Sequence, residues 1–280
     1  MQVTRHRATG AFLAAAAPVM ARSAEATAGF RAWTAALDAN PQEELAHAWL
    51  GTAGGGGGHG AALARRDGPL VFEGSDPEAA AAFARALAAE MPRLPGIVGA
   101  LPACEAFARV WRERTGRRAV RRFHLRHHLL TAVAAVPVAT GAPRIAGAAD
   151  ANWLVEAQFA FIVDAGVPDN PERVRAAIPA RAARGEFWLW EDPAPVAYAG
   201  WSAAGPDAAR IGPVYTCPPA RRRGYATALV ARLAQALLDA GRSRIFLMTD
   251  VANPTSNAIY ARVGFRAGTD VHHFDFVDAE

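Results

Sequence analysis

The sequence predicts an α/β (α+β) protein of two lobes that share one order of elements. The chain has 280 residues, of which 52% are hydrophobic, enough for one large or two modest packed cores. Patterning in each half predicts three strands, a helix, a strand, a helix and a final strand. No sequence repeat accompanies this repeated order. We therefore expect lobes over residues 1–135 and 136–280.

Short apolar runs and helix signals define the first half. Asp76 and Pro77 begin a helix to about Met91, because aspartate caps helices and proline fits their first turn. A second helix spans Ala103–Thr115 and ends at Gly116. The predicted strands lie near Ala46–Leu50 and at Ala61–Arg65, Leu70–Glu73, Gly96–Ala100 and Ala119–Leu130.

The start of the chain imitates a secretory signal. Arg5 and Arg7 precede an Ala-rich stretch that ends at Met20, but Pro18 interrupts it and it reads equally well as a helix. No apolar stretch approaches the roughly 20 residues that span a bilayer. We therefore expect a cytoplasmic protein that does not associate with a membrane.

The second half begins with two predicted helices and continues with strands and two more helices. A helix that contains Glu156 follows Asp150, and another spans Pro171–Arg184. Leucines at every fourth position predict a helix over 225–240, and Asn253 caps a helix over 255–263. The predicted strands are Glu186–Trp190, Val196–Ser202, Arg210–Thr216, 244–249 and two near Arg266 and at Val271–Val277.

The turn between Thr216 and the helix at residue 225 has the composition of a phosphate-binding loop. Gly224 removes a Cβ where the backbone must approach a ligand. The first N–H groups of a helix lack intrahelical partners, and the helix dipole makes that end attractive to anions. Arg221, Arg222 and Arg223 add charge. Alone, this pattern fits a solvated basic loop as well as a phosphate site.

A second segment, Asn253 to Phe265, follows the next strand. Together the two segments resemble the GNAT acyltransferase superfamily. Arg221-x-x-Gly224-x-Ala226 is similar to its coenzyme A diphosphate loop, and Asn253–Phe265 is similar to its second signature, about thirty residues later. The resemblance runs from about Arg144 to the C-terminus and is strongest to a bacterial subgroup of uncharacterised predicted acetyltransferases. Arg222 departs from that subgroup, which often has glycine there.

This resemblance implies a GNAT fold, with a mixed, mostly antiparallel sheet flanked by helices. It implies acetyl-CoA as co-substrate without a metal, and transfer of acetyl to a primary amine of a small molecule or peptide in a ternary complex. The implied cofactor-binding residues are Val214, Tyr215, Thr216, Arg221, Arg222, Arg223, Gly224, Tyr225, Ala226, Thr227, Asn253, Asn257 and Tyr260.

Two residues are candidates for the proton transfers. Tyr260 would be the general acid for the thiolate, because a phenol stays protonated at neutral pH; packing in the core is its alternative role. Glu156 would be the general base, with Asp250 second, although a lone carboxylate on a helix is usually solvated. A backbone N–H at Thr216 would polarise the carbonyl. Cys217 as an acyl carrier lacks a predicted base.

The first lobe lacks the corresponding groups. Its turn Glu73–Glu78 is acidic where a diphosphate would lie, and its second helix has no Asn…Tyr pair. We expect a degenerate lobe that supports the active one and shapes the acceptor site.

The composition argues against several other functions. Every basic side chain other than histidine is arginine, the net charge is +4 and basic residues are scattered, so we expect no nucleic-acid partner. Cys104 and Cys217 form no disulfide framework, and the histidines have no spacing typical of a metal site. A non-catalytic acyl-CoA-binding module, or a transferase of another acyl group or acceptor class, remains an alternative, as monomer or homodimer.

Overall fold

The computed structural model describes residues 1–22, 30, 34, 48–54, 59–65, 68–167 and 170–279. The beginning of the strand predicted near Ala46–Leu50 lies outside these residues. In chain order, the described elements are β1 (Val3–His6), α1 (Thr9–Met20), β2 (Ala48–Ala53), β3 (Gly60–Arg65), β4 (Leu70–Glu73), α2 (Pro77–Glu90), β5 (Gly96–Gly99), α3 (Leu101–Thr115), β6 (Arg118–Leu130), β7 (Ala142–Ile145), α4 (Ala151–Ala165), α5 (Pro171–Ala183), β8 (Phe187–Glu191), β9 (Pro195–Ala203), β10 (Ala208–Thr216), α6 (Tyr225–Asp239), β11 (Arg244–Asp250), α7 (Pro254–Val263) and β12 (Arg266–Val277).

The chain forms two compact units, and it passes between them four times. Unit 1 comprises Met1–His127, Thr249–Asn253 and Gly268–Glu280, and unit 2 comprises His128–Met248 and Pro254–Ala267. Neither unit is one continuous segment. The division after residue 135 stays a prediction.

Unit 1 is a sheet covered by helices. β1 to β4 pair antiparallel in order, β4 pairs parallel with β5, and β5 pairs antiparallel with β12. Asp76 caps α2 by accepting hydrogen bonds from the N–H groups of Glu78 and Ala79 at 2.8 and 3.3 Å. The core is aromatic, with Trp49, Phe72, Phe83, Phe107, Trp111 and Phe276 in one buried cluster.

Unit 2 is a sheet with helices on both faces. β7, β8, β9 and β10 pair antiparallel in order, and β10 pairs parallel with β11. One face packs against α6 and α7 through residues such as Leu229, Leu233 and Val263. The other packs against α4 and α5 through residues such as Leu154, Ile178 and Tyr198. β10 therefore lies between the two layers of helices.

The same order of elements recurs in the two halves. β2, β3, β4, α2, β5, α3 and β6 match β8, β9, β10, α6, β11, α7 and β12 in type. In each half, the strands before and after the first of these helices pair parallel, as β4 with β5 and β10 with β11. The predicted class, a mixed and mostly antiparallel sheet flanked by helices, is confirmed. No described helix is long and apolar enough to cross a membrane.

Three elements differ from those predicted from the sequence. β1 and β7 were not expected, and β12 is one continuous strand where two were predicted. Arg144 lies in β7, where it pairs with Leu189 of β8. Its guanidinium contacts Asp150 and Glu191 at 2.7 and 2.8 Å. These contacts stabilise a strand that local propensity does not favour.

Candidate functional site

β10 is paired along its whole length on one side only. Its parallel pairing with β11 covers Ala208–Arg210 opposite Arg244–Phe246, whereas its pairing with β9 continues to Thr216. From Ile211 on, no strand of the described chain pairs with the β11 side. That side is an open edge, to which an extended ligand can add as a strand.

The backbone of Val214 and Thr216 faces this open edge. The N–H of Cys217 donates to the carbonyl oxygen of Val196 in β9 at 2.9 Å. Backbone groups alternate in direction along a strand, so the N–H groups of Val214 and Thr216 point away from β9. Tyr215 lies between them, with its N–H directed towards β9. Val214 and Thr216 therefore hold the backbone donors that an extended ligand would meet.

A β-bulge lies just before this open segment. Ile211 pairs with Trp201 and Val214 with Ala199, so β10 advances three residues while β9 advances two. The extra residue places Val214 in the same cluster as Ile211, on the α6 face. Bulges bend a strand and re-aim its residues. Here the bulge marks the point where β10 separates from β11.

The loop after β10 has an unusual backbone. A short 3-10 turn at Pro218–Ala220 leads to Arg222, with φ of 65°, and Gly224, with φ of 84°. Arg222 is the only non-glycine residue of the described chain with positive φ. Left-handed residues in such a turn direct backbone N–H groups to one side, which makes a concave anion site. A Cβ on Gly224 would meet no atom within 4 Å, so its backbone faces open space.

The N-terminus of α6 is not capped by any side chain. Gly224 occupies the cap position, and the first intrahelical bond joins Ala228 N to Gly224 O at 3.0 Å. The N–H groups of Tyr225, Ala226 and Thr227 therefore precede the intrahelical ladder. By contrast, the carboxylate of Asp76 fills the corresponding helix start in unit 1. The two helix starts differ in the way expected if only α6 binds an anion.

The side chain of Arg221 is directed to α4. Its Nε donates to the carbonyl oxygen of Thr216 at 3.0 Å, its terminal nitrogen donates to Asp164, and its guanidinium lies 5.4 Å from the centre of the Tyr215 ring. The Tyr215 hydroxyl also donates to Asp164, at 3.1 Å. Hydrogen bonds from Arg221 and Tyr215 lower the pKa of the Asp164 carboxyl. Arg221 thus braces the loop, and its charge is already paired.

Tyr225 and Thr227 have buried side chains and can offer a ligand only their backbone. The Tyr225 hydroxyl donates to Asp192, which also accepts a hydrogen bond from Thr140 at 2.5 Å. Trp190 Nε1 in turn donates to the Thr140 carbonyl oxygen at 2.7 Å. This network fixes the first turn of α6. Arg222 and Arg223, by contrast, have exposed side chains.

Tyr260 is buried on α7. Its ring lies 5.9 Å from that of Phe265 and 6.2 Å from that of His128. Burial raises the pKa of its phenol to about 12. The group is therefore fully protonated at neutral pH, as a proton donor must be, while its ring also packs in the core. Asn257 lies one turn before it and is partly buried.

Asp250 and Asn253 belong to the segment of unit 1 that precedes α7. The Asp250 carboxylate accepts a hydrogen bond from the N–H of Ala252 at 2.9 Å, and its carbonyl accepts one from Asn253 at 3.0 Å. Asp250 thus caps this turn, the structural role that was the alternative to acting as a base.

Glu156 is exposed on α4, whose buried face carries Leu154, Val155, Ala157 and Gln158. Its role as base stays a prediction. Gln158 accepts a hydrogen bond from Tyr198 at 2.7 Å.

At the end of β10, burial raises the pKa of the Cys217 thiol. A protonated thiol is a poor nucleophile, which argues against an acyl-cysteine route.

A cluster in unit 1 was not expected from the sequence. Arg126 donates to both oxygens of Asp270, at 2.5 and 2.9 Å, and His124 Nε2 lies 2.7 Å from the same carboxylate. The rings of His124 and His272 stack at 4.4 Å. Only the pairing of β12 brings these residues together, so no local motif predicts them. Among the described residues, no group of histidine, cysteine and acidic side chains has the arrangement of a metal site.

Comparison with known proteins agrees with this architecture. Residues 151–265 match the model of the Acetyltransferase (GNAT) family. A comparison with curated proteins finds no match.

Solved structures similar to this chain include a Drosophila protein, at 15% identity and TM-score 0.69, covering 98% of each chain. A GCN5-related N-acetyltransferase from Sphaerobacter thermophilus has 18% identity and TM-score 0.62, covering 99% of this chain and 98% of that one. A GNAT-family acetyltransferase from Colwellia psychrerythraea has 13% identity and TM-score 0.59, and the match covers 99% of this chain and 100% of that one. At these identities the likeness concerns the fold, and it extends over nearly the whole chain. Residues 151–265 thus match the GNAT acetyltransferase family in sequence, within a fold that is shared over nearly the whole chain.

Proposed function

We propose that the protein is a cytoplasmic, acetyl-CoA-dependent N-acetyltransferase that acts on a primary amine of a small molecule or peptide. One observation carries this proposal: an uncapped helix start, preceded by two left-handed residues, directly follows the open edge of β10. An open strand edge suits an extended arm with amide groups, and the helix start suits a diphosphate. Coenzyme A has both.

The binding residues follow from this arrangement. The diphosphate would be held by the N–H groups of Gly224 to Thr227, with the exposed charges of Arg222 and Arg223 beside it. The amide-containing arm would run along Val214–Thr216. Asn253 and Asn257 stay proposed ligands of the cofactor amides, and the protein would require no metal.

The proposed reaction is a direct transfer. The acceptor nitrogen attacks the thioester carbonyl carbon, and a backbone N–H on the open edge of β10 stabilises the developing oxyanion. The C–S bond then breaks, its electron pair stays on sulfur, and the Tyr260 hydroxyl donates a proton to the thiolate. The proton lost by the amine goes to Glu156 or to water. Because the phenol is buried and protonated, Tyr260 suits the donor role.

Calorimetric titration with acetyl-CoA and with CoA tests the binding step. We expect micromolar dissociation constants for the wild type and at least about tenfold weaker binding for Gly224→Asp, because a carboxylate at a helix start repels the diphosphate. Gly116→Asp is the matched control, since Gly116 also has positive φ, 75°, and no atom within 4 Å of a Cβ. If the wild type binds neither acetyl-CoA nor CoA, the proposal is wrong.

Tyr260→Phe tests the transfer step. We expect the rate of CoA release in the presence of an acceptor to fall by about a hundredfold or more, with unchanged acetyl-CoA affinity.

Glu156→Gln tests the base. We expect a loss of transfer rate that becomes smaller at high pH, where more of the amine is already neutral. The exposed position of Glu156 favours one alternative, an acyl-CoA-binding module without turnover. Tight binding with no CoA release across amine acceptors would establish that module.

A further inference from the structure

Arg210 lies in β10 at the last pair with β11, opposite Phe246. Ala209 and Ile211 pack on the α6 face, so the alternation of side chains places Arg210 on the face covered by α4 and α5. One of its terminal nitrogens is 3.9 Å from the position that a Cβ would take on Gly212. The guanidinium therefore extends along the strand towards the bulge.

Among the residues that the structure describes, Arg210 has no acidic partner. In the described part of unit 2, the other partly buried arginines all have oxygen partners: Arg144 with Asp150 and Glu191, Arg181 with Glu186, Arg242 with the carbonyls of Gly205 and Pro206, and Arg244 with Asp207. Arg210 is partly buried as well, yet no described carboxylate or carbonyl pairs with it. Burial and the charge of Arg181 lower the pKa of its guanidinium.

The carboxylate that pairs with Arg181 already pairs with a second arginine. Glu186 receives hydrogen bonds from Arg181 at 2.8 Å and from Arg184 at 2.5 Å. One carboxylate thus balances two guanidinium groups, and Arg210 adds a third positive charge on the same side of the sheet. A partly buried charge without a counter-ion is unfavourable. An anion brought by a ligand would relieve it.

The position of Arg210 indicates which ligand. In the proposed function, on which this inference rests, the donor arm runs from the α6 loop back along the open edge from Thr216 to Ile211. The next residue along that path is Arg210. The acyl group would therefore end near the bulge, beside the Arg210 guanidinium and at the far end of the strand from the diphosphate.

We propose that Arg210 binds a carboxylate of the acyl acceptor, and that the acceptor is an amine which carries a carboxylate close to its amino group, as α-amino acids do. A guanidinium presents two parallel N–H donors that match the two oxygens of a carboxylate. This contact would orient the amine towards the thioester and select against amines without an acid.

The test compares each common α-amino acid with its α-amide. Binding is measured by calorimetry, with the protein alone and saturated with CoA, and turnover by CoA release from acetyl-CoA. We expect at least one amino acid to bind and react better than its amide, and Arg210→Met to weaken its binding about 10- to 100-fold without changing acetyl-CoA affinity. Arg210→Lys should keep part of the amino-acid affinity that Arg210→Met loses. Arg232→Met, an exposed arginine of α6, is the matched control.

Three binding results would overturn the proposal: equal binding of acids and amides, unchanged carboxylate binding in Arg210→Met, or a wild type that binds acetyl-CoA but no member of the panel. A wild type that fails to bind acetyl-CoA would instead contradict the proposed function. The titrations without CoA still report on Arg210 in that case.

The stability of Arg210→Met separates a ligand-binding role from a structural one. A methionine has similar length and no charge to desolvate, so we expect the denaturation midpoint of the unliganded variant to equal or exceed that of the wild type. A clear fall in the midpoint would mean that Arg210 serves the fold, and would also overturn the proposal.

Discussion

Arg222 is a single residue held in a conformation that its Cβ disfavours. A left-handed L-residue costs about 1–2 kcal/mol, so its retention in the loop indicates that the turn geometry is needed there. We expect Arg222→Gly to raise the free energy of unfolding by about 1 kcal/mol, measured by urea denaturation, because glycine adopts positive φ freely.

Arg222→Gly also distinguishes binding by the backbone N–H groups of the proposed diphosphate loop from binding by the side-chain charge of Arg222. If backbone N–H groups provide most of the binding, the CoA dissociation constant of Arg222→Gly should change by less than about tenfold. Arg223→Gly, at a neighbouring position without positive φ, should not gain stability and serves as the control. A larger loss of affinity in Arg222→Gly would assign the binding to the side-chain charge.

Asp270 is a residue of unit 1 whose ionisation contributes to stability. Hydrogen bonds from Arg126 and His124 lower the pKa of its carboxyl to about 2. A carboxyl more acidic in the folded state stabilises the fold above its unfolded pKa, near 4, and this contribution is lost as the pH falls towards 2.

We therefore expect Asp270→Asn to lower the free energy of unfolding by about 1–2 kcal/mol at pH 7, and by progressively less as the pH falls from 4 to 2. Urea denaturation at several pH values measures this. Asp239→Asn, on the exposed end of α6, should show little change. A pH-independent difference would mean that the carboxylate charge is not the cause.

Among the elements, α6 connects the core of unit 2 to the proposed diphosphate site. Leu229, Leu233 and Leu237 are almost fully buried on its inner face. We expect Leu233→Ala to lower the free energy of unfolding by about 2–5 kcal/mol, because it leaves a cavity. Arg232→Ala, on the exposed face, should change it by less than about 0.5 kcal/mol. Similar effects of the two variants would contradict the packing described.

The elements that the sequence predicts well are those with strong local signals. Helix α2 has its capping Asp76, α6 has its leucine stripe, and the loop before α6 has Gly224. β7 and the continuous β12 could not be predicted, because short or Gly-containing strands are formed by their partners rather than by their own residues.

The side-chain hydrogen bonds of the site could not be predicted from the sequence either. Arg221 meets Asp164 across 57 positions of sequence, and Tyr225 meets Asp192 across 33. The absence of a described partner for Arg210 is likewise a property of the fold, since Asp207 lies three positions before it and pairs with Arg244 instead. Residue type therefore predicts the loop chemistry, whereas pairing decides which charges remain available to a ligand.

At the scale of the whole molecule, each unit is built from separate segments of the chain, which limits where the chain can be shortened. Phe276 of β12 stacks on Trp111 and Phe107, at 5.3 and 5.8 Å between ring centres, although more than 160 positions separate it from them. Unit 1 therefore needs the end of the chain to complete its core.

We expect a chain that ends at Ala267 to lose the native packing of unit 1. The measurement is the near-ultraviolet circular dichroism of its aromatic side chains, which should collapse in the truncated protein. A chain that ends at Val277 keeps Phe276 and, of the described contacts, loses the exposed one between Arg117 and Asp278, so it should keep the native spectrum. A native spectrum in the shorter chain would contradict this account of the core.

The two cysteines give the protein a built-in chemical handle. Cys104 is fully buried, and burial raises the pKa of its thiol to about 12, so alkylating reagents should leave it unmodified in the native state. Cys217 is partly exposed and follows β10 directly, just ahead of the loop that turns into α6. At mildly alkaline pH, where more of the Cys217 thiol is ionised, a single maleimide dye would then attach beside the site without any engineered cysteine. Its fluorescence could follow the arrival of a nucleotide-bearing ligand in real time.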